Sequence, residues 1–134
     1  MPESPDPAQT LPLPTSGRFF HGRYRLTAEI GRGGMGVVWC AEDTKLQRTV
    51  ALKFLPELVV RDREAMADLA AETRRSLELT HPHIVRVYDL VEEPDRAAIS
   101  MEFVDGPSLA ERKLKQPGRC FTPEALAAWI AQLC

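Results

Sequence analysis

Cysteine is scarce in this sequence and never set at metal or redox spacing. Cys40, Cys120 and Cys134 are the only three among 134 residues. An odd number without a CxxC pair gives neither a disulfide framework nor a cysteine-based zinc site, and a reducing cytoplasm is the expected setting. Also missing is any run of the ~18 apolar residues that a membrane helix needs. Glu3 and Asp6 stand where a secretory signal would be basic, and prolines interrupt the apolar segments around them. An anchor elsewhere in a longer parent protein is compatible with this. Strong charge of either sign is absent too: the formal net charge is -2 and the isoelectric point is near 5.9. Neither nucleic acid nor an anionic membrane is therefore expected as the main partner. Any phosphate chemistry has to come from local geometry.

What is present has the composition of a globular domain, with 44% hydrophobic and 27% charged residues. Five of the eleven prolines fall within the first sixteen residues. Because proline removes backbone donors and fixes φ, a disordered leader is expected over 1–20. From Arg23 the pattern changes. YRLTAEI, GVVWCAED and RTVALKFL are short runs rich in β-branched and aromatic residues, separated by GRGGMG and by the polar stretch 43–47. Such short breaks make an antiparallel meander of three strands. Residues 61–79 lack Gly and Pro and space Met66, Leu69, Ala70, Thr73 and Leu77 at helical steps, which predicts one amphipathic helix. After HPH, the runs IVRVYDLVEE and AAISMEFV flank a turn at Pro94 and Asp95 and add two strands. Beyond Gly106 and Pro107 a short polar helix, SLAERKLK, precedes a second one with Thr122 as N-cap and Pro123 at its first position. The expected fold is α+β: a five-stranded antiparallel sheet with one long helix over 21–104, then the first helices of a further unit over 105–134.

Two features carry chemistry. The first is IGRGGMGVV, where Gly31, Gly33 and Gly36 give a GxGxxG spacing. That spacing also opens dinucleotide-binding folds, but there the third glycine begins a helix. Val37, Val38, Trp39 and Cys40 favour a strand instead, so the loop is a hairpin tip whose backbone can lie over phosphates. The second is VALKF, in which strand alternation sets Val50, Leu52 and Phe54 on one face and Ala51 and Lys53 on the other. A lysine in an apolar strand is costly unless paired. Glu72, nineteen positions on, is the natural partner, with Glu64 and Glu78 competing. His81 and His83 have no acidic or cysteine cluster near them in sequence that would complete a metal site.

Taken in order, the glycine loop, VALK, the helix glutamate, HPHIV and the hinge-like ISMEFVDG resemble the protein kinase family, and most of all bacterial serine/threonine kinases of the eukaryotic-like type. The resemblance covers residues 24–134. It implies the N-terminal lobe of a kinase and the start of the C-terminal one, with Mg-ATP as the phosphate donor and a protein hydroxyl as the acceptor. The catalytic pair it implies is Lys53, on the α- and β-phosphates, and Glu72, which holds that lysine. Ile30, Gly31, Arg32, Gly33, Gly34, Met35, Gly36 and Val37 would form the loop over the phosphates, with Val38 and Ala51 sandwiching the adenine. Met101 would be the gatekeeper. The carbonyl of Glu102 and the N–H of Val104 would bond the adenine edge, and Asp105 would approach the ribose. Val85 would border the pocket and Val87 would link helix to sheet. Met35 departs from the aromatic tip common in the family, and Ser76 stands where many kinases place a larger apolar residue.

Phosphoryl transfer in this family needs the Asp of HRD and the Asp of DFG. Neither motif occurs in the 134 residues. The resemblance therefore implies the ATP-binding part of a serine/threonine kinase, with the base and the Mg2+ ligands in an absent C-terminal lobe. Two other readings stand beside it: a pseudokinase or nucleotide-binding regulatory module, and an interaction domain using the apolar last helix.

Overall fold

The computed structural model describes residues 14–34 and 36–133. Most of the expected leader, residues 1–13, lies outside the described residues. Its end does not follow the expectation, because Phe19–Phe20 form a strand, β1, and Phe20 is only 3% exposed. His21 and Gly22, with φ of 55° and 62°, make the left-handed two-residue turn that suits a hairpin, and Arg23 N donates to Phe20 O at 3.2 Å. The chain then enters β2 (Tyr24–Gly33), β3 (Gly36–Asp43) and β4 (Arg48–Phe54). These are the meander expected from the sequence. Two further strands, β5 (Val87–Glu92) and β6 (Ala97–Glu102), complete a sheet of order β1-β2-β3-β4-β6-β5, antiparallel throughout.

The sheet thus has six strands rather than five. Two phenylalanines carry no alternation for a sequence reading to find. What holds β1 is long-range: the Phe20 ring meets that of Phe54 edge-on, with centroids 4.9 Å apart.

The single expected helix over 61–79 is present, and one short unexpected turn precedes it. α1 (Glu57–Val60) is a single turn, and α2 (Arg63–Ser76) starts afresh at Asp62. Asp62 leaves helical geometry, and its carboxylate accepts from the N–H groups of Glu64 at 3.0 Å and Ala65 at 3.1 Å. An N-cap aspartate satisfies donors that a continuous helix would have paired along its length, so the break is stable. α2 buries Met66 and Thr73 and packs against β5. α3 (Leu109–Leu114) opens with a capping box between Ser108 and Glu111. A 3-10 turn at Pro117–Arg119 then leads to α4 (Pro123–Leu133), where Thr122 Oγ1 accepts from Ala125 N at 3.3 Å. No helix among the described residues is long and apolar enough to cross a membrane.

Alternation divides the sheet into two faces. On one, Tyr24, Leu26, Trp39, Ala41, Val50, Leu52, Phe54, Val91 and Ala98 form the core together with Phe20. At its rim lies a buried ion pair. Asp43, 1% exposed, accepts from Arg23 Nε at 2.8 Å and Nη2 at 2.7 Å, and its Oδ1 also accepts from the N–H groups of Lys45 and Leu46. One carboxylate therefore shapes the β3–β4 turn and ties it to the start of β2.

Beside Arg23, Asp43 titrates below the usual carboxylate range, while Arg23 is raised by the same bond. A folded-state value below the unfolded one adds stability that is present above about pH 3.8 and fades as pH falls through the lower folded value. Asp43→Asn should cost about 2–4 kcal/mol at pH 7, because it leaves a partly buried guanidinium unpaired. Urea denaturation of both proteins should show that gap at pH 7 and a narrowing of it below pH 3.8. A gap that does not change with pH would place the stabilisation elsewhere.

Candidate nucleotide site

Opposite residues of an antiparallel pair share a face, so the register lays out the second side of the sheet. One row across it is Gly31, Val38, Lys53, Ile99 and Leu90; the next is Ala28, Cys40, Ala51, Met101 and Val87. Apart from exposed Ala28 and buried Ala51, these side chains are half-buried or, for Gly31, partly open. Four expected site residues, Val38, Ala51, Lys53 and Met101, thus share one face, and Val87 continues their row. Cys40, Ile99 and Leu90 join them. Sequence reasoning did not name those three, although Cys40 lies two positions after Val38 on the same strand and its side was legible from alternation.

At the end of the Gly31 and Val38 row is the glycine hairpin. Gly33 pairs with Gly36, so the tip is two residues long, and a strand follows it rather than a helix. Met35, the expected tip residue, lies outside the described residues. Gly36 has φ of 115°, and a Cβ there would meet the carbonyl oxygen of Phe54 at 2.0 Å. A Cβ on Gly33 or Gly34 would meet no atom within 4 Å. The backbone at 33 and 34 therefore has open space beside it, as a phosphate cradle requires. Only the third glycine is obligatory for folding, through its close approach to the end of β4.

Two loop residues turn their side chains away. Val37 packs against the core, and Arg32, its register partner, donates from Nε to Glu29 Oε1 at 2.7 Å. Only their main chain can serve the cradle. Ile30 falls in the irregularity between Glu29 and Gly31 and is 48% exposed.

Lys53 and Glu72 do not form the expected pair. The ion pairs recorded among the described residues are Arg23–Asp43, Arg25–Glu42, Arg32–Glu29 and Arg61–Glu57. Glu72 is exposed, next to the buried Thr73. The expectation took Lys53 to be desolvated, whereas its face of the sheet is partly open and water can solvate an ammonium there.

At the strand end, Met101 lies between Ala51 and Val87 in register. Glu102 closes β6, with its N–H donating to Arg86 O at 2.8 Å and its carboxylate accepting from Arg86 N at 3.1 Å. Val104 is 62% exposed, Asp105 is exposed, and Val85 also faces solvent. In the HPH turn His83 N donates to His81 Nδ1 at 3.0 Å, a local bond that orders the loop from α2 towards β5.

The glycine of a hairpin and a lysine on the third meander strand thus share one row of a sheet face, and the row beside it runs to the end of β6. The sequence model of the protein kinase domain matches residues 24–134 of this chain. The chain belongs to the protein kinase family. Among curated relatives, it is 42% identical over 95 residues to the serine/threonine-protein kinase PrkC of Bacillus subtilis, covering 71% of this chain and 15% of that protein. It is 44% identical over 96 residues to the probable serine/threonine-protein kinase PknB of Lactococcus lactis, with the same coverage on both sides. The solved PknI kinase domain of Mycobacterium tuberculosis superposes with a TM-score of 0.79 at 26% identity, over 90% of this chain and 48% of that one. The chain therefore spans about half of a solved kinase domain and a much smaller share of the curated kinases it matches. A kinase lobe of this family uses ATP and a divalent metal ion.

The glycines should separate cleanly by stability. Gly36→Ala is expected to cost about 2–3 kcal/mol, from its positive φ and the Phe54 contact. Gly34→Ala should cost less than about 1 kcal/mol. Thermal denaturation of the two variants measures this, and equal melting temperatures would contradict the close packing at Gly36.

Proposed function

We propose that this chain is the ATP-reading lobe of a serine/threonine protein kinase, which moves the γ-phosphate of ATP to a Ser or Thr hydroxyl of a protein. The observation that carries the reading is the shared face: Lys53 lies in register with Val38 and Gly31, one row from Ala51 and Met101, with the glycine hairpin at the end of its row. A flat purine fits against Val38 and Ala51, since small and β-branched side chains leave room for a ring. The carbonyl of Glu102 and the N–H of Val104 read its edge, and Asp105 meets the ribose. The backbone at Gly33 and Gly34 covers the phosphates, and the Lys53 ammonium holds the α- and β-phosphates as a point charge.

Glu72 takes part once α2 turns its face. It lies one residue from Thr73, so a rotation of about 100° about the helix axis exchanges the two towards the sheet. Paired with Glu72, Lys53 is held in one position; unpaired, it is a hydrated, mobile cation. In the transfer itself the acceptor oxygen bonds the γ-phosphorus, the bond to the β-γ bridging oxygen breaks, and ADP departs. The aspartate that takes the hydroxyl proton is assigned to the rest of the parent protein. So are the ligands of Mg2+, since the family holds the metal through the aspartate of DFG, a motif that does not occur in these 134 residues. The free thiols Cys40 and Cys120 suit the reducing cytoplasm, where ATP is plentiful.

Lys53→Met in the full-length kinase should lower phosphotransfer by several orders of magnitude and leave the melting temperature nearly unchanged. Unaltered activity would refute the assignment. For the 134 residues alone, binding is expected to be so weak that millimolar ATP does not exceed its Kd and adds at most about 0.4 kcal/mol. That is about 2–3 °C for a domain of this size. A much larger rise would mean that this lobe binds nucleotide unaided.

A further inference from the structure

The segment that would read the adenine edge is pinned at its ends. Beyond Glu102, which is in register with Val50 of β4, the next anchor is the Ser108 and Glu111 capping box, with Ser108 N donating to Glu111 Oε2 at 2.6 Å. On the other side the anchor is Glu102, which grips one residue twice. Its N–H donates to the carbonyl of Arg86, and its carboxylate accepts the N–H of the same Arg86. The first bond is main-chain and survives any substitution. The second depends on the side chain, and it is charge-assisted, so it is stronger than a neutral amide bond of equal length.

Arg86 directly precedes β5 and stands opposite Glu102 in the register set by Val87 and Met101, and its N–H goes to the Glu102 carboxylate.

We propose that the Glu102 carboxylate is a positioning group for the nucleotide: by capping Arg86 N–H it fixes where β6 ends and so the direction in which Glu102, Phe103 and Val104 leave the sheet. This rests on the nucleotide reading above and deepens it. The hinge takes its direction from its pins. Losing one of the two bonds to Arg86 at the first pin spreads the Glu102 carbonyl and the Val104 N–H over more orientations, and the ligand must then restore their order on binding. The cost falls on the purine and leaves the phosphate end untouched.

The test compares wild type, Glu102→Ala and Glu102→Gln in the full-length kinase. The measurements are calorimetric titration with ATP and with adenosine, steady-state kinetics, and hydrogen exchange at the Arg86 amide. Glu102→Ala should weaken binding of both ligands about three- to tenfold, the size of one surface hydrogen bond. It should raise KM for ATP without a matching fall in kcat and speed exchange at Arg86. Glu102→Gln still offers an amide oxygen to Arg86 and should restore most of the affinity and the protection, an outcome that loss of a merely structural contact would not produce. Wild-type affinity in Glu102→Ala with faster Arg86 exchange overturns the positioning role while the kinase reading stands. Failure of all three proteins to bind adenosine or ATP overturns the nucleotide reading, and the positioning role with it.

Discussion

The two-residue period of β4, fixed by its neighbours, is the constraint on which the rest of this structure depends. β4 is central, paired with β3 on one side and β6 on the other. Its odd and even positions therefore have different surroundings along its whole length. Val50 and Leu52 are fully buried and Phe54 nearly so, all in the core cluster. Ala51 and Lys53 are committed to the other face. A slip of one residue would push Lys53 into the core, where an unpaired ammonium costs several kcal/mol, and would expose three large apolar side chains worth about 2 kcal/mol each. The position of the functional lysine is therefore enforced by apolar burial on the face it does not share.

The same comparison of magnitudes explains why Lys53 and Glu72 stand apart. A solvent-exposed ion pair contributes about 0–1 kcal/mol. Burying a methionine contributes about 1.5–3 kcal/mol. When α2 settles on β5, the face carrying Met66 and Thr73 wins, and Glu72, next to Thr73, is left in water. The buried Thr73 satisfies itself by donating from Oγ1 to Leu69 O at 2.8 Å, so it makes no demand on the sheet. Lysine in an apolar strand implies a partner only when that face is dry. Here it is partly wet, so Lys53 stays charged without a carboxylate beside it.

Much of the fold was legible because its signals are local. β2 to β6 announce themselves by β-branched runs and polar breaks, and Thr122 with Pro123 marked the start of α4. The side of Ala51 and Lys53 followed from alternation. What escaped depends on residues distant in sequence. Phe19–Phe20 is a strand because Phe54 is there to receive Phe20, and nothing in two phenylalanines says so. The short turn α1 before the expected helix escaped too, and Asp62 separates the two by a side-chain bond to its own backbone, a signal that an N-cap reading of Asp-x-Glu could have caught. The roles of Arg32 and Val37 needed the register of the hairpin, since the bulges in β2 reset which side each residue faces. The clamp between Glu102 and Arg86 joins positions sixteen apart through a side chain, and a motif cannot carry that.

Stability and chemistry are thereby assigned to opposite faces of one sheet. The core face holds the large buried side chains and the Arg23–Asp43 pair; the other face holds Val38, Lys53, Ile99 and Met101, all half-buried and replaceable at little cost to folding. Such a division lets that face be tuned to a ligand without endangering the fold, because substitutions distant from each other and without shared partners act almost independently. Gly36 is where the division fails. It belongs to the loop over the phosphates, yet its α-carbon lies against the carbonyl of Phe54, a core residue of β4. A change there is felt on both faces, so of the three spaced glycines it is the one that folding alone would preserve even if nucleotide binding were lost.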